Sequence, residues 1–217
     1  MHVSSKPLVA DPYLDLIIGY DPGMSSALIL GQEDFFGRLN VVDELILNGY
    51  GAKRMITDQL IPLLKRKYKG FNVIISPDPA VNSRTPTNET TVLQILKDVK
   101  YKQWWTVFTD GQNTRNLLQP RLDAIDHYTT RLTERGPALV IDPRCKKIIR
   151  ALVSGWRFEK TQKGEEKIKP EKNASSHPGD AFGYLCRYPV VNTAKYGTKL
   201  KPKPRIIIPR FNNAYNY

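Results

Sequence analysis

The sequence predicts an α/β domain: a mixed β-sheet flanked by α-helices. Two observations predict it. Short apolar runs of strand length alternate with longer amphipathic stretches. The earliest β-rich runs are adjacent and separated only by turns, whereas later ones are separated by helices, so the sheet combines a meander with crossovers. The 217 residues suffice for one sizeable core, and two cysteines, Cys145 and Cys186, provide no disulfide framework.

The elements follow in order. LDLIIGY (14–20) reads as a buried strand stopped by Asp21-Pro22-Gly23, and SALILG (26–31) and LNVVDELIL (39–47) complete an antiparallel meander. Residues 52–69 place Met55, Leu60, Leu63 and Leu64 near helical spacing. FNVIISPDPA (71–80) is a second core strand halted at a Pro-bracketed aspartate, 88–99 a short helix, and WWTVFT (104–109) a third core strand containing Trp104 and Trp105. Residues 113–135 form a longer helix that Pro120 kinks or delays. ALVIDP is a brief strand, and 144–154 a basic helix with Ile148, Ile149 and Leu152 inward. Residues 159–173 are polar around Gly164, forming an exposed hairpin or a flexible loop. Ser176-His177-Pro178-Gly179-Asp180 opens a last helix running to about Cys186. The expected limits are an N-terminal extension or linker remnant over 1–13, the folded domain over 14–190, and a basic C-terminal arm over 191–217.

Composition narrows the function classes. Lys and Arg number 33 against 21 Asp and Glu, a formal charge of +12, which favours a polyanionic partner. No run of 18 apolar residues exists, so no membrane partner is expected.

Three aspartates stand where elements begin or end. Asp21 closes the first strand, Asp78 follows NVIISP, and Asp180 lies in the first turn of the last helix. Ligands of open α/β sheets gather at strand ends and helix starts, so these carboxylates are placed to converge. Clustered hard oxygens suit Mg²⁺ or Mn²⁺, and two such ions clamp the attacking and leaving oxygens of a phosphodiester displacement. Taken singly, each aspartate has a structural role as well: Asp-Pro is a turn sequence, and Asp180 suits a helix N-terminus. Asp142 in VIDPR is read as structural. His177, three residues before Asp180, either ligates a metal and positions water or simply caps the helix. Asp43 and Glu44 lie on the third strand, where alternation points one of them inward, as a secondary ligand or for edge solubility.

GYDPGMSSALIL, VVDEL, VIISPDPAVNSR and SSHPGDAFGYLCRY, in this order, resemble the nuclease domain of tailed-phage large terminase subunits. The resemblance spans about residues 14–190. It implies an RNase H-like fold in which Asp21, Asp78 and Asp180 are catalytic and hold two Mg²⁺ or Mn²⁺ ions, with His177 as a further ligand. It implies an endonuclease that cuts concatemeric double-stranded DNA, working with a terminase ATPase domain, a small terminase subunit and a portal protein. The setting would be the host cytoplasm and, transiently, the procapsid portal. The chain has no G-x-x-x-x-G-K-[ST] phosphate loop, so translocation chemistry is not expected of these residues. Val81 also stands where the family has a glycine. A RuvC-like junction resolvase, a transposase-type strand transferase and a non-catalytic DNA-binding or portal-docking module remain alternative readings.

Arg84, six residues after Asp78, is placed to contact a phosphate. Arg144, Lys146, Lys147 and Arg150 on the basic helix, and Lys160, Lys163, Lys167 and Lys169 in the following hairpin, suit salt-dependent contact with a DNA backbone. Glu159, Glu165, Glu166 and Glu171 interleave with the latter and make a solvated loop the competing reading. Trp104 and Trp105 are read as core residues.

Overall fold

β1 (Leu16–Asp21) is buried along its whole length, which requires cover on both faces of the sheet. The computed structural model of the chain describes residues 2–23, 25–82, 91–98, 101, 104–109, 118–160 and 166–196. Among them β1, β2 (Ser25–Glu33), β3 (Leu39–Asn48), β4 (Val73–Pro77), β5 (Thr106–Val107) and β8 (Leu139–Ile141) form one sheet in the order β5-β4-β1-β2-β3-β8. β1, β2 and β3 pair antiparallel, whereas β4 on β1, β5 on β4 and β8 on β3 are parallel. This is the mixed sheet the sequence predicts.

Period-two alternation along β1 sorts its side chains into two cores. Leu16, Ile18 and Tyr20 join Leu28, Leu30, Val73 and Ile75 beneath a helical stretch contributing Met55, Ile56, Leu60 and Leu64. That stretch is α1 (Ala52–Arg54), a π-helical segment Met55–Leu60 and α2 (Ile61–Lys67). Ile17, Ala27, Ile29, Leu39 and Val41 face the other way, against α4 (Leu118–Thr129), α5 (Lys146–Arg150) and α6 (Ser176–Tyr196). No helix among the described residues is long and apolar enough to cross a membrane.

A β-bulge decides the fate of Asp43 and Glu44. Leu30 pairs with Asp43 and Gly31 with Val41, leaving Val42 as the extra residue. Parity therefore changes along β3: Leu39 and Val41 face one core, but Ile46 faces that core further on, and Leu45 and Leu47 face the other. Asp43 accepts from Lys67 Nζ at 2.8 Å and the Tyr68 hydroxyl at 3.1 Å. Glu44 accepts the backbone N–H groups of Lys147 and Ile148 at 2.9 and 2.8 Å, capping α5 from another strand. Each carboxylate anchors a helix, so the secondary-ligand reading of this pair is set aside.

Several boundaries differ from expectation. The run 104–109 is not a core strand: only Thr106 and Val107 pair, at the sheet edge. Trp105 is buried instead as a core residue, stacked on Tyr101 at 5.1 Å and donating its indole N–H to Leu96 O. The short helix expected over 88–99 is α3 (Val92–Leu96), opened by a capping box between Thr91 and Gln94. α4 stops at Thr129 rather than at residue 135, and the Thr129 and Thr130 hydroxyls bond the Ile125 and Asp126 carbonyls of its last turn. The chain then forms a small hairpin, β6 (Leu132–Thr133) with β7 (Gly136–Pro137), turned by Gly136 at φ +98°. The polar segment 159–173 is a hairpin at its base, β9 (Phe158–Lys160) antiparallel to β10 (Glu166–Pro170). α6 continues past Cys186 and through Pro189 to Tyr196, so the boundary expected at 190 falls inside a helix. Burial of Arg187 and Pro189 against the domain outweighs the local helix-breaking preference. The rest of the C-terminal arm, 197–217, lies outside the described residues.

The N-terminal residues pack on the domain. Val3 bridges Ile141, and Ser4 N–H donates to Ile141 O at 2.9 Å. Asp142 secures this junction: fully buried, it accepts from Leu8 N–H and Arg144 N–H and holds the Arg144 guanidinium through both oxygens. These donors draw its carboxyl down to about 2 despite the opposing effect of burial, and the structural reading of Asp142 holds. A carboxyl depressed when folded stabilises the protein above its unfolded value near 3.8 and loses that contribution as pH falls toward about 2. Asp142→Asn is therefore expected to cost about 1–2 kcal/mol near pH 7. Urea melts at pH 7 and pH 3 check this, with the smaller difference expected at pH 3.

Candidate active site

Parallel pairing places the first two aspartates together. Tyr20 stands beside Pro77 in the β1–β4 register, and Asp78 N–H donates to Tyr20 O at 2.9 Å. Asp21 and Asp78 therefore emerge side by side from the same end of the sheet. Asp78 also serves its own turn, because one carboxylate oxygen accepts Ala80 N–H at 2.8 Å. The turn role and a site role coexist in one side chain.

Asp180 comes to this end on α6, which lies directly on β1. A Cβ on Gly19 would collide with the Ala181 carbonyl and the Leu185 backbone nitrogen, so only glycine permits this approach. Gly179 meets the Trp156 ring in the same way. The Ser76 hydroxyl donates to Tyr184 O at 2.8 Å, fastening β4 to the same helix.

Each carboxylate has a protein partner. His177 Nδ1 lies 2.7 Å from Asp21 Oδ2. Arg121, from the first turn of α4, places its NH1 2.9 Å from Asp180 Oδ1 and 3.0 Å from the Tyr184 hydroxyl. Tyr184 in turn hydrogen-bonds Asp78. Asp21, Asp180 and Arg121 are buried, at 8%, 9% and 6% exposed, whereas Asp78 is half-buried and His177 reaches the surface.

Burial raises the Asp21 carboxyl above the usual range. The His177 hydrogen bond opposes that shift, while the charges of Asp180 and Asp78 add to it. His177 is raised, chiefly by its bond to Asp21. Burial raises Tyr184, with Arg121 opposing and Asp78 reinforcing the shift. The three carboxylates thus act on one another electrostatically. They do not close into a ready shell: among the described residues no three His, Cys, Asp or Glu side chains are gathered to hold a metal ion. Arg121 and Tyr184 occupy Asp180 and Asp78 instead.

The basic residues are more dispersed. Lys146, Lys147 and Arg150 are exposed on α5, which follows β8, three strands and about 15 Å across the sheet from β1. Arg144 precedes that helix and is committed to Asp142, and Lys147 Nζ donates to Ile46 O. Lys160 and Lys167 lie on β9 and β10, beside the α6 start: Asn173 ties this junction by donating to Gly155 O, and Arg157 pairs with Glu171 at 2.7 Å. Lys163 and Arg84 lie outside the described residues.

No protein-family model and no curated protein matches the sequence. Solved structures do match it. The g2p large terminase nuclease domain of bacteriophage SPP1, with bound Mn, is 19% identical, with 85% of this chain and 94% of that one covered at a TM-score of 0.51. The large terminase nuclease of thermophilic phage G20c, with bound cobalt, is 13% identical over 83% and 84% at 0.53. This is the fold of the large terminase nuclease domains. It is an RNase H-like arrangement, as expected. The large terminase of a further thermophilic bacteriophage, in complex with ATP-gamma-S, is 18% identical, covering 85% of this chain at a TM-score of 0.58. The match spans only 42% of that longer protein.

Sequence reasoning did not find Arg121, Tyr184 or Gly19. Tyr184 carried a signal, standing four residues after Asp180 and hence on the same helix face. Gly19 stood two residues before Asp21, where a strand glycine marks close backbone approach. Arg121 carried none, since an arginine near a helix start usually faces solvent.

The His177–Asp21 pair generates a pH prediction. A histidine raised when folded stabilises below its unfolded value of about 6.5, and that contribution disappears as pH rises through the higher folded value. In EDTA, His177→Ala should lower the melting temperature more at pH 6 than at pH 8.5. Scanning calorimetry of both proteins checks it, and a constant or growing difference with pH contradicts the pairing.

Proposed function

We propose that this domain is a metal-dependent endonuclease of a phage DNA-packaging terminase, cutting concatemeric double-stranded DNA. The observation that carries the reading is the gathering of Asp21, Asp78 and Asp180 at one sheet end. It occurs within a fold shared with terminase nucleases, two of them holding manganese or cobalt.

The donor set fits a divalent cation. Asp21 is a buried carboxyl raised by two like-charged neighbours, and a cation beside it relieves both repulsion and desolvation. Asp21, Asp78 and Asp180 would hold Mg²⁺ or Mn²⁺, two ions in our reading, with Asp21 shared between them and His177 as a further contact. When bound, such ions stabilise charge on the attacking and leaving oxygens of a phosphodiester and activate water. The chain itself supplies orientation and proton control. His177 fixes the Asp21 Oδ2 position through its Nδ1 contact, and that bond favours the protonated imidazole relative to a free histidine. Tyr184 fixes Asp78, and the apolar cores beneath both strands hold the strand ends in register.

DNA contact would fall to the basic residues of α5 and of the β9–β10 hairpin. Lys146 and Arg150, exposed on α5, and the lysines of the β9–β10 hairpin would track phosphates without reading sequence. The partners in this reading are a terminase ATPase domain, a small terminase subunit and a portal protein, in the host cytoplasm and transiently at the procapsid portal.

A plasmid nicking assay with Mn²⁺, Mg²⁺ or EDTA tests the reading. Wild type should linearise DNA only with metal, and Asp21→Ala should cut at least about 10³-fold more slowly. The variant should keep its circular dichroism spectrum and melt no lower in EDTA at pH 8.5, where the His177 contribution has faded and removing Asp21 relieves like-charge repulsion. Cutting by Asp21→Ala at the wild-type rate contradicts the site. Gel retardation without cutting under any metal favours a DNA-binding module.

A further inference from the structure

Arg121 is a buried cation beside the three carboxylates that sequence reasoning did not anticipate. Its NH1 donates to Asp180 Oδ1 at 2.9 Å and to the Tyr184 hydroxyl at 3.0 Å. Its guanidinium carbon lies 4.9 Å from the Tyr184 ring centroid. Tyr184 passes this influence to Asp78 through its own hydrogen bond. One buried positive charge thus serves Asp180 directly and Asp78 at one remove. Arg121 Nε is buried and has no hydrogen-bond partner among the described residues, so the guanidinium is incompletely satisfied where it sits. Its stem rests against Gly183, in ordinary contact distance of a position without a side chain.

We propose that Arg121 competes with a divalent cation for Asp180, so that the site takes up its ions unequally. This inference rests on the metal reading of the same carboxylates. Asp21 and Asp78 are held by the His177 imidazole and the Tyr184 hydroxyl, neither a permanent cation, so a first ion displaces less charge there. A second ion that uses Asp180 meets the Arg121 guanidinium already seated on Oδ1. A divalent cation and a guanidinium on one carboxylate repel each other, more strongly in a buried site than in water, so they compete for it. Release of Arg121 therefore precedes occupation of the second place, and a DNA phosphate is the natural acceptor for the freed guanidinium. Arg121 is a positioning residue that sets when the carboxylate set is complete.

Counting bound Mn²⁺ by the electron paramagnetic resonance of the free ion tests this without DNA or turnover. In the wild-type chain the two Mn²⁺ dissociation constants should differ by at least about tenfold. Arg121→Met, which keeps much of the stem and removes the charge, should tighten the weaker constant about tenfold or more and leave the tighter one within about twofold. Arg121→Gln serves if the Met variant does not fold. Equal constants in wild type, or a weaker constant unchanged in the variant, overturn the proposal while sparing the metal reading. Absence of Mn²⁺ binding by wild type overturns both.

Discussion

Three carboxylates cannot occupy one end of a sheet unless something compensates them. That requirement organises this part of the molecule. Asp21 is raised by burial and by both neighbours, and each aspartate has a dedicated partner: His177 for Asp21, Tyr184 for Asp78 and Arg121 for Asp180. The partners differ in kind. A titratable imidazole, a neutral hydroxyl and a permanent cation give graded compensation, strongest at Asp180.

Supplying those partners dictates how the helices lie. His177, Asp180 and Tyr184 all belong to α6, so that one helix must pass close to β1 and β4 together. Gly19 and the Ser76–Tyr184 bond achieve this. Arg121 requires α4 to pack on α6 from the far side, with Pro120 in the first turn of α4, where its missing N–H costs nothing. Remote carboxylates fasten the remaining helices: Glu44 caps α5, Asp43 holds the end of α2, and Asp142 binds the N-terminal residues. Charge anchors the periphery and apolar packing the centre.

Much of this was legible in the sequence. The strand runs, the meander and the positions of Asp21, Asp78 and Asp180 follow from local periodicity and turn chemistry, which need only neighbouring residues. What was not legible depends on contacts between distant segments. The Val42 bulge inverts the side-chain parity that alternation alone assigns to Asp43 and Glu44. Burial carries α6 through Pro189. The edge position of Thr106–Val107 depends on pairing with β4, not on the apolar character of WWTVFT. Arg121 is hidden for the same reason, since its partner lies 59 residues away. Lys146, Lys147 and Arg150 lie exposed on α5, whereas Arg144 falls before it, and its commitment to Asp142 needed the fold.

The close seating of α6 on β1 has a mechanical consequence. With backbone against backbone at Gly19, the elements carrying Asp21 and Asp180 are closely seated, and α6 cannot slide on β1 without disturbing the core that Ala181, Phe182 and Leu185 share with Ile17. The spacing between the strand end that carries Asp21 and the helix turn that carries Asp180 is therefore fixed by backbone contact, and side-chain rotamers are the softer degree of freedom there.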